Sequence, residues 1–335
     1  MVLSAEEFTR IANNFYNAHN IPTDISRIGI DSNLFNYINA HTQAVKKKFK
    51  VAFCWICLNE PYWQYAKTMI DGAKRFFLPG HDVDYFLWSD MPTEKVNIKK
   101  REDKTAYADG FNDALDKIQE TAFGATVFPT EPQPWPVPTL MRYHLFLQQE
   151  EILKDYDYIF FCDVDMQFVN VVGDEILGKG LTAALHPGYA TRKEVWPPYE
   201  PNKQSHSFIN RPGLVINDQG KPRFMPMYFA GGFQGGTSKE WFKAMRAMKD
   251  LIDRDMAQNY TPIWNDETAW NKYLERTPED LVVLTPSYVY PDSLIKEYYE
   301  PVVWGTSYTP RIITVTKSFT VSKEGGEAVQ RLIKK

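Results

Sequence analysis

Apolar residues fall into a few long, regular runs separated by polar or proline-dense chain. VAFCWICL (residues 51–58) is unbroken apolar chain of strand length, which predicts a strand buried on both faces. PYWQYAKTMIDGAKRFF follows with helical spacing and Pro61 near its start, and HDVDYFLWSD returns to a strand pattern, so the segment predicts a β-α-β unit. Residues 1–47 show helical spacing at Phe8, Ile11 and Phe15, then at Leu34, Tyr37 and Ile38, and end in KKKFK, which predicts a helical N-terminal extension. The stretch 92–135 is polar and ends in FPTEPQPWPVP, where a long surface connection is expected. LMRYHLFLQQEEILKDY predicts one amphipathic helix feeding the strand YIFFCDVD, which leaves two aspartates at a strand's carboxyl end. Short strand-like runs, prolines and aromatics fill 166–229. They are followed by the glycine-rich AGGFQGGTS, the helix KEWFKAMRAMKDLIDRDM with a capping box from Thr237 and Glu240, the helix DETAWNKYLERT, the strand LVVLTP and an irregular tail. Strands alternating with helices in this way predict an α/β fold with a mixed open sheet flanked by helices.

Composition narrows the partners. A chain of 335 residues with net charge -4 lacks the excess of lysine and arginine that a phosphate backbone requires, so nucleic acid is not expected. Aromatics at 15%, nine of them Trp, favour a ligand with flat apolar faces such as a sugar or a base. No stretch approaches the roughly 20 apolar residues of a membrane span and the start has no signal-like apolar core, so a soluble, cytoplasmic protein is expected. Cys54, Cys57 and Cys162 read as buried reduced thiols, Cys54 and Cys57 on opposite faces of one strand. Nothing in the sequence indicates an oligomeric state.

Three segments carry candidate chemistry. In Asp163-Val164-Asp165, two hard oxygen ligands at a strand end suit Mn²⁺ or Mg²⁺ shared with phosphate oxygens, although a solvated strand terminus would look the same. Val164 between them is expected to turn into the core. In FMPMYFAGGFQGG (224–236), paired glycines suit either a pocket floored by main chain or an ordinary turn between strand and helix. In PIWNDETAWNKY (262–273), Asp266 and Glu267 sit at a helix start, where acids are favoured electrostatically, yet Trp264 and Trp270 beside them suit a sugar ring. His186 in LHPGY reads as a satisfied core histidine or a polar contact.

Taken in order, HDVDYFLWSD, YIFFCDVDMQF, LHPGY, YFAGGFQGG, WNDETAWNKYL and LTPSYVY resemble glycosyltransferase family 6, the histo-blood-group A and B transferases and α1,3-galactosyltransferases, from about Val51 to Lys323. The resemblance implies a GT-A fold over residues 48–335: a nucleotide-binding part at about 48–165, an acceptor-binding part at about 166–310, and a tail at 311–335. It implies a retaining, Mn²⁺-dependent transfer, with Mg²⁺ a substitute, of GalNAc or Gal in α1,3 linkage. The transfer would run from a UDP-sugar to an oligosaccharide acceptor, a β-galactoside or α1,2-fucosylated galactoside. By position, Asp163 and Asp165 look like the metal and diphosphate acids, while Cys57, Leu58, Tyr62, Arg142 and Val164 look like donor contacts. His186 and Trp264 match acceptor contacts, Asp266 and Glu267 match the acid pair beneath the donor sugar, and Glu267 is the implied nucleophile. Lys317 and Lys323 resemble the cationic tail over the diphosphate. Donor choice would turn on Ala230-Gly231-Gly232, where Gly232 leaves room for an acetamido group and Ala230 stands where the blood-group enzymes carry something bulkier. Animal members begin with a membrane anchor and many bacterial ones lack the two acids, so a soluble microbial or viral-type member with an intact D-x-D is expected. The alternatives are a UDP-Gal-specific transferase, a sugar-binding protein that has lost turnover, and a nucleotide-sugar hydrolase.

Overall fold

A computed structural model describes residues 47–91, 120–189, 197–210, 214–216, 222–224, 227–276, 280–293, 309–317, 319–321 and 330–332. The predicted N-terminal helices and Lys323 lie outside the described residues. The first described elements are strand β1 (Lys50–Cys57), helix α1 (Glu60–Phe76) and β2 (Asp82–Ser89). β1 and β2 pair in parallel from Lys50↔Asp82 to Cys57↔Ser89, which makes the expected β-α-β unit. α1 has a proline in its first turn, Glu60 at its amino end and Lys74 and Arg75 in its last turn, each on the side the helix dipole favours.

The connection expected to be irregular over 92–135 contains a hairpin, β3 (Glu120–Ala122) and β4 (Ala125–Pro129), and β4 extends the sheet in parallel beside β2. Proline crowds only the end of this strand, so the sheet hydrogen bonds of ATVF survive. A short helix, α2 (Val137–Leu140), ends the proline-dense stretch, and the single amphipathic helix expected next is two short ones, α3 (Arg142–Gln148) and α4 (Glu150–Leu153). They lead into β5 (Tyr158–Cys162), parallel to β1, and a turn at 163–165 precedes β6 (Met166–Phe168).

β7 (Leu181–Leu185), the hairpin β8 (Leu214–Ile216) with β9 (Pro222–Phe224), and β10 (Phe229–Thr237) follow. AGGFQGG is therefore a central strand and not a turn. β10 runs antiparallel to both β5 and β7, with its register against β7 shifting between Phe229 and Gln234. A Cβ on Gly235 would lie 2.1 Å from the Phe160 ring, so glycine lets that ring lie flat on the strand. Helix α5 (Ser238–Ala257) starts after Thr237, whose side chain makes no capping bond, because Thr237 still belongs to β10 and pairs with Tyr158. Helix α6 (Asn265–Tyr273) and β11 (Val282–Leu284) complete the main sheet, ordered β11-β7-β10-β5-β1-β2-β4-β3. β12 (Tyr290–Pro291) and β13 (Ile312–Thr314) join β6 in a small second sheet, and β14 (Phe319–Val321) pairs with β15 (Gln330–Leu332).

Both faces of the main sheet are covered. Val51, Phe53, Trp55 and Cys57 of β1 pack with Ala66, Met69, Ile70 and Ala73 of α1. The alternate residues Ala52 and Cys54 lie on the other face with Tyr143 and Phe146 of α3, Trp241 of α5 and Trp270 of α6. This is why VAFCWICL is apolar throughout, and it places Cys54 and Cys57 on opposite faces as buried free thiols. The mixed sheet flanked by helices is a GT-A type fold, and its central strands β1 and β5 end together at one edge.

Candidate active site

At that edge the turn after β5 presents Asp163 and Asp165. Val164 between them is buried in the core with 5% exposure, as its place in the sequence predicts. Each acid meets a different cation. Asp163 Oδ1 accepts from Arg142 Nη2 at 3.2 Å, and Lys317 Nζ lies 2.8 Å from Asp165 Oδ2. Lys317 is brought there by the second sheet, because β13 pairs with β6 and the Val315 N–H donates to the Asp165 carbonyl. Its ammonium also lies 5.5 Å from the centre of the half-buried Tyr62 ring. Burial opposes the Lys317 charge, but Asp165 outweighs it and leaves the lysine firmly protonated.

The second pair of acids comes from α6. Asn265 takes a positive φ of 52°, which an asparagine tolerates, and the helix then opens with Asp266 and Glu267 facing β10. Asn271 staples α6 to that strand, since its amide bonds both the N–H and the carbonyl of Phe229 at 2.8 Å. The Tyr143 hydroxyl donates to the Asp266 carbonyl, and the Gly231 N–H donates to Glu267 Oε2 at 2.8 Å. Arg142 joins the two pairs of acids. Besides Asp163, its guanidinium reaches Asp266 Oδ2 at 3.1 Å and the Gly231 carbonyl at 3.3 Å, and it lies over the Phe161 ring. Burial pushes the Asp266 carboxyl up to about 6 although Arg142 opposes it. Burial pushes Glu267 to about 7, with the Gly231 N–H pulling the other way.

Main chain forms the floor. A Cβ on Gly231 would stand 3.2 Å from Asp266 Oδ2, and one on Gly232 would stand 3.0 Å from Asp163 Oδ2. Ala230 is buried beside them. The glycine pair thus brings β10 against both sets of acids. His186 is linked to this group through Tyr228, whose ring centroid is 5.7 Å away and whose hydroxyl faces Glu267 without regular hydrogen-bond geometry. His186 Nδ1 accepts from the Gly188 N–H, and burial lowers its pKa to about 4, so the ring is neutral. Trp264, at the start of α6, is 45% exposed. Cys57, Leu58 and Val164 are buried, so any part they take in binding falls to their main chain.

Residues 138–316 match the sequence profile of Glycosyltransferase family 6. The chain belongs to glycosyltransferase family 6. It is 27% identical over 237 residues to rat Histo-blood group ABO system transferase 1, covering 70% of this chain and 59% of that protein. It is 25% identical over 234 residues to human Globoside alpha-1,3-N-acetylgalactosaminyltransferase 1, covering 69% and 58%. With the O-antigen biosynthesis glycosyltransferase WbnI of Escherichia coli it shares 24% over 140 residues, or 42% and 55%. The chain thus spans less than two thirds of the length of these relatives. Family 6 is a family of glycosyltransferases. No helix among the described residues is long and apolar enough to cross a membrane.

Family 6 enzymes are generally dependent on a divalent metal. No cluster of three or more His, Cys, Asp or Glu side chains suited to a cation occurs among the described residues. The two acids of the 163–165 turn nonetheless fit Mn²⁺ or Mg²⁺, ions that complete their coordination with substrate phosphate and water. Tyr228, Asn271, Tyr143 and Gln234 contact the acid pair or Gly231, and motif reading passes over them. Only Gln234 carried a signal, as a polar residue inside an otherwise apolar and glycine strand.

Proposed function

We propose that this chain is a retaining α1,3-glycosyltransferase that moves GalNAc, or Gal, from a UDP-sugar to a β-galactoside or α1,2-fucosylated galactoside, with Mn²⁺ or Mg²⁺ on Asp163 and Asp165. One observation carries the reading: Arg142 bridges Asp163 of the sheet-edge turn and Asp266 of α6 directly above the Gly231 carbonyl. The acids read as diphosphate anchor and the acids read as facing the sugar thus share one guanidinium, which supports the reading.

In this reading Tyr62 offers its ring to the uracil, with the main chain of Cys57, Leu58 and Val164 alongside, and Ala230-Gly231-Gly232 lies beneath the donor sugar. Arg142 orients that sugar and keeps Asp163 and Asp266 ionised. A bound divalent cation supplies positive charge for the departing diphosphate. Lys317 adds to it by turning from Asp165 to the phosphate oxygens, and Lys323 adds its charge. Glu267, held by the Gly231 N–H, directs an ionised oxygen at the anomeric carbon, as nucleophile or as stabiliser of positive charge there. The C1–O bond to UDP breaks and the bond from C1 to the acceptor oxygen forms, while the acceptor's hydroxyl proton passes to the diphosphate. His186 and Trp264 border the acceptor, and the neutral imidazole can take part in a hydrogen bond without adding charge.

The test is to incubate the protein and Mn²⁺ with UDP-GalNAc, UDP-Gal and UDP-Glc, each with lactose and 2'-fucosyllactose, and to follow UDP release and product linkage. Acceptor-dependent release with UDP-GalNAc, faster than with UDP-Gal, is expected. Absence of acceptor-dependent release with every donor would overturn the reading.

A further inference from the structure

Gly231 is held at both of its polar groups. Its N–H donates to Glu267 Oε2 at 2.8 Å, and its carbonyl accepts from Arg142 Nη1 at 3.3 Å and from Gln234 Nε2 at 3.0 Å. A glycine has the widest backbone freedom of any residue, so the direction of its N–H is set only if both flanking peptide units are fixed. Arg142 is shared among Asp163, Asp266 and this carbonyl, and its bond to the carbonyl is the longest of the three. Gln234 makes the shorter contact to that carbonyl, and its amide nitrogen makes no other hydrogen bond among the described residues.

The environment of Gln234 argues that this contact is why the residue is polar. It sits in the middle of β10, paired with Phe161 on one side and Ala183 on the other, and its side chain sees no solvent. Its Oε1 is buried without a hydrogen-bond partner among the described residues. An unpaired amide oxygen in a sheet interior destabilises the fold, and an apolar residue of similar length would avoid that loss. The residue also stands where the β10 register shifts against β7, so the strand lacks a regular ladder to hold the Gly231 carbonyl in its place.

We infer that Gln234 is a positioning residue: by fixing the Gly231 carbonyl it aims the Gly231 N–H, and through it the Glu267 carboxylate, at the reacting carbon. This rests on Glu267 acting as proposed above. Substitution of Gln234 should therefore impair turnover and leave stability intact, the reverse of what a packing residue does.

The experiment compares wild type with Q234M, which keeps length and loses both amide atoms, and carries Q234L in parallel in case Q234M precipitates. Three quantities are read: kcat and the donor and acceptor KM values with Mn²⁺ and whichever donor the wild type uses; the melting temperature; and hydrogen exchange of the Gly231 amide by mass spectrometry. Expected are a fall in kcat of tenfold or more with both KM values within threefold, a melting temperature equal to or above wild type, and exchange of the Gly231 amide at least tenfold faster. An unchanged kcat, or a melting temperature that falls along with kcat, overturns the proposal. Exchange is read without any donor, so an unaltered Gly231 amide overturns it even if no sugar is ever transferred. A wild type that transfers nothing, with the amide loosened in Q234M, sinks only the reading of Glu267.

Discussion

Two pairs of carboxylates lie a few residues' width apart and are held by opposite means. Asp163 and Asp165, in the turn after β5, each meet a cation on a long side chain, Arg142 and Lys317. Glu267 is held instead by a neutral main-chain N–H, and its partner Asp266 shares the Arg142 guanidinium with Asp163. On the proposed function Lys317 leaves Asp165 when a divalent cation and a diphosphate compete for it, whereas Glu267 keeps its main-chain partner. The first pair is then suited to exchange of ligands. The second is built for fixed aim, at the cost of a carboxyl that holds its proton up to about 7.

The largest test of this contrast is Glu267→Gln. The amide keeps the shape and can still accept from the Gly231 N–H, so UDP binding by titration should stay within about threefold while kcat drops by roughly 10³-fold or more, as loss of a reacting carboxylate does. Near-wild-type turnover would remove Glu267 from the chemistry. Asp165→Asn should act on the other side of the comparison, weakening Mn²⁺-dependent donor binding by about 10–100-fold, the scale on which metal sites respond to altered ligands and their supports. A donor affinity indifferent to Mn²⁺ in both proteins would refute the ligand assignment.

Acidity separates the pairs next. Below about 7 the Glu267 carboxyl is increasingly protonated, so kcat should decline by about tenfold per pH unit on the acid side. Stability from this group moves the other way. Its folded pKa lies above its ordinary value, so the fold gains as pH falls from about 7 toward that value. A rate that falls in step with the melting temperature over that range would mean the acid limb reports unfolding.

Much of this arrangement is legible in the chain itself, and the part that is not has a common cause. β1, α1, β2 and β5 are long, strongly patterned and buried, so local spacing suffices to place them. β4 and β10 escape because their identity comes from neighbours: β4 is ordered by β2 beside it, and β10 reads as a turn until Phe160 is seen lying on Gly235. The break of the expected helix into α3 and α4 likewise has no local proline or glycine inside Arg142–Leu153 to announce it. Asp163, Asp165, Asp266 and Glu267 stand out as acids at element ends. Asn271 and Tyr143, which tie the second pair to its surroundings, act between separate elements, and no spacing along one segment encodes that, whereas Gln234 reaches Gly231 within β10 itself.

Gly232→Ala probes the floor common to both pairs, and its effect should be the smallest. The added methyl group would stand 3.0 Å from Asp163 Oδ2 and 3.2 Å from Met166 Sδ, tight enough that the Asp163 carboxylate must give by a few tenths of an ångström. If Gly232 serves the donor sugar, the same methyl group occupies space an acetamido group would need, and UDP-GalNAc turnover should fall relative to UDP-Gal by about tenfold, the low end for one methyl group in a pocket. If Gly232 serves only the close approach of Asp163, both donors should lose equally and the Mn²⁺ affinity should fall with them. Measuring the ratio of kcat/KM for the two donors at saturating and at limiting Mn²⁺ separates the outcomes. A ratio that shifts at both metal levels assigns the glycine to the sugar, and a ratio that stays fixed assigns it to the metal acid.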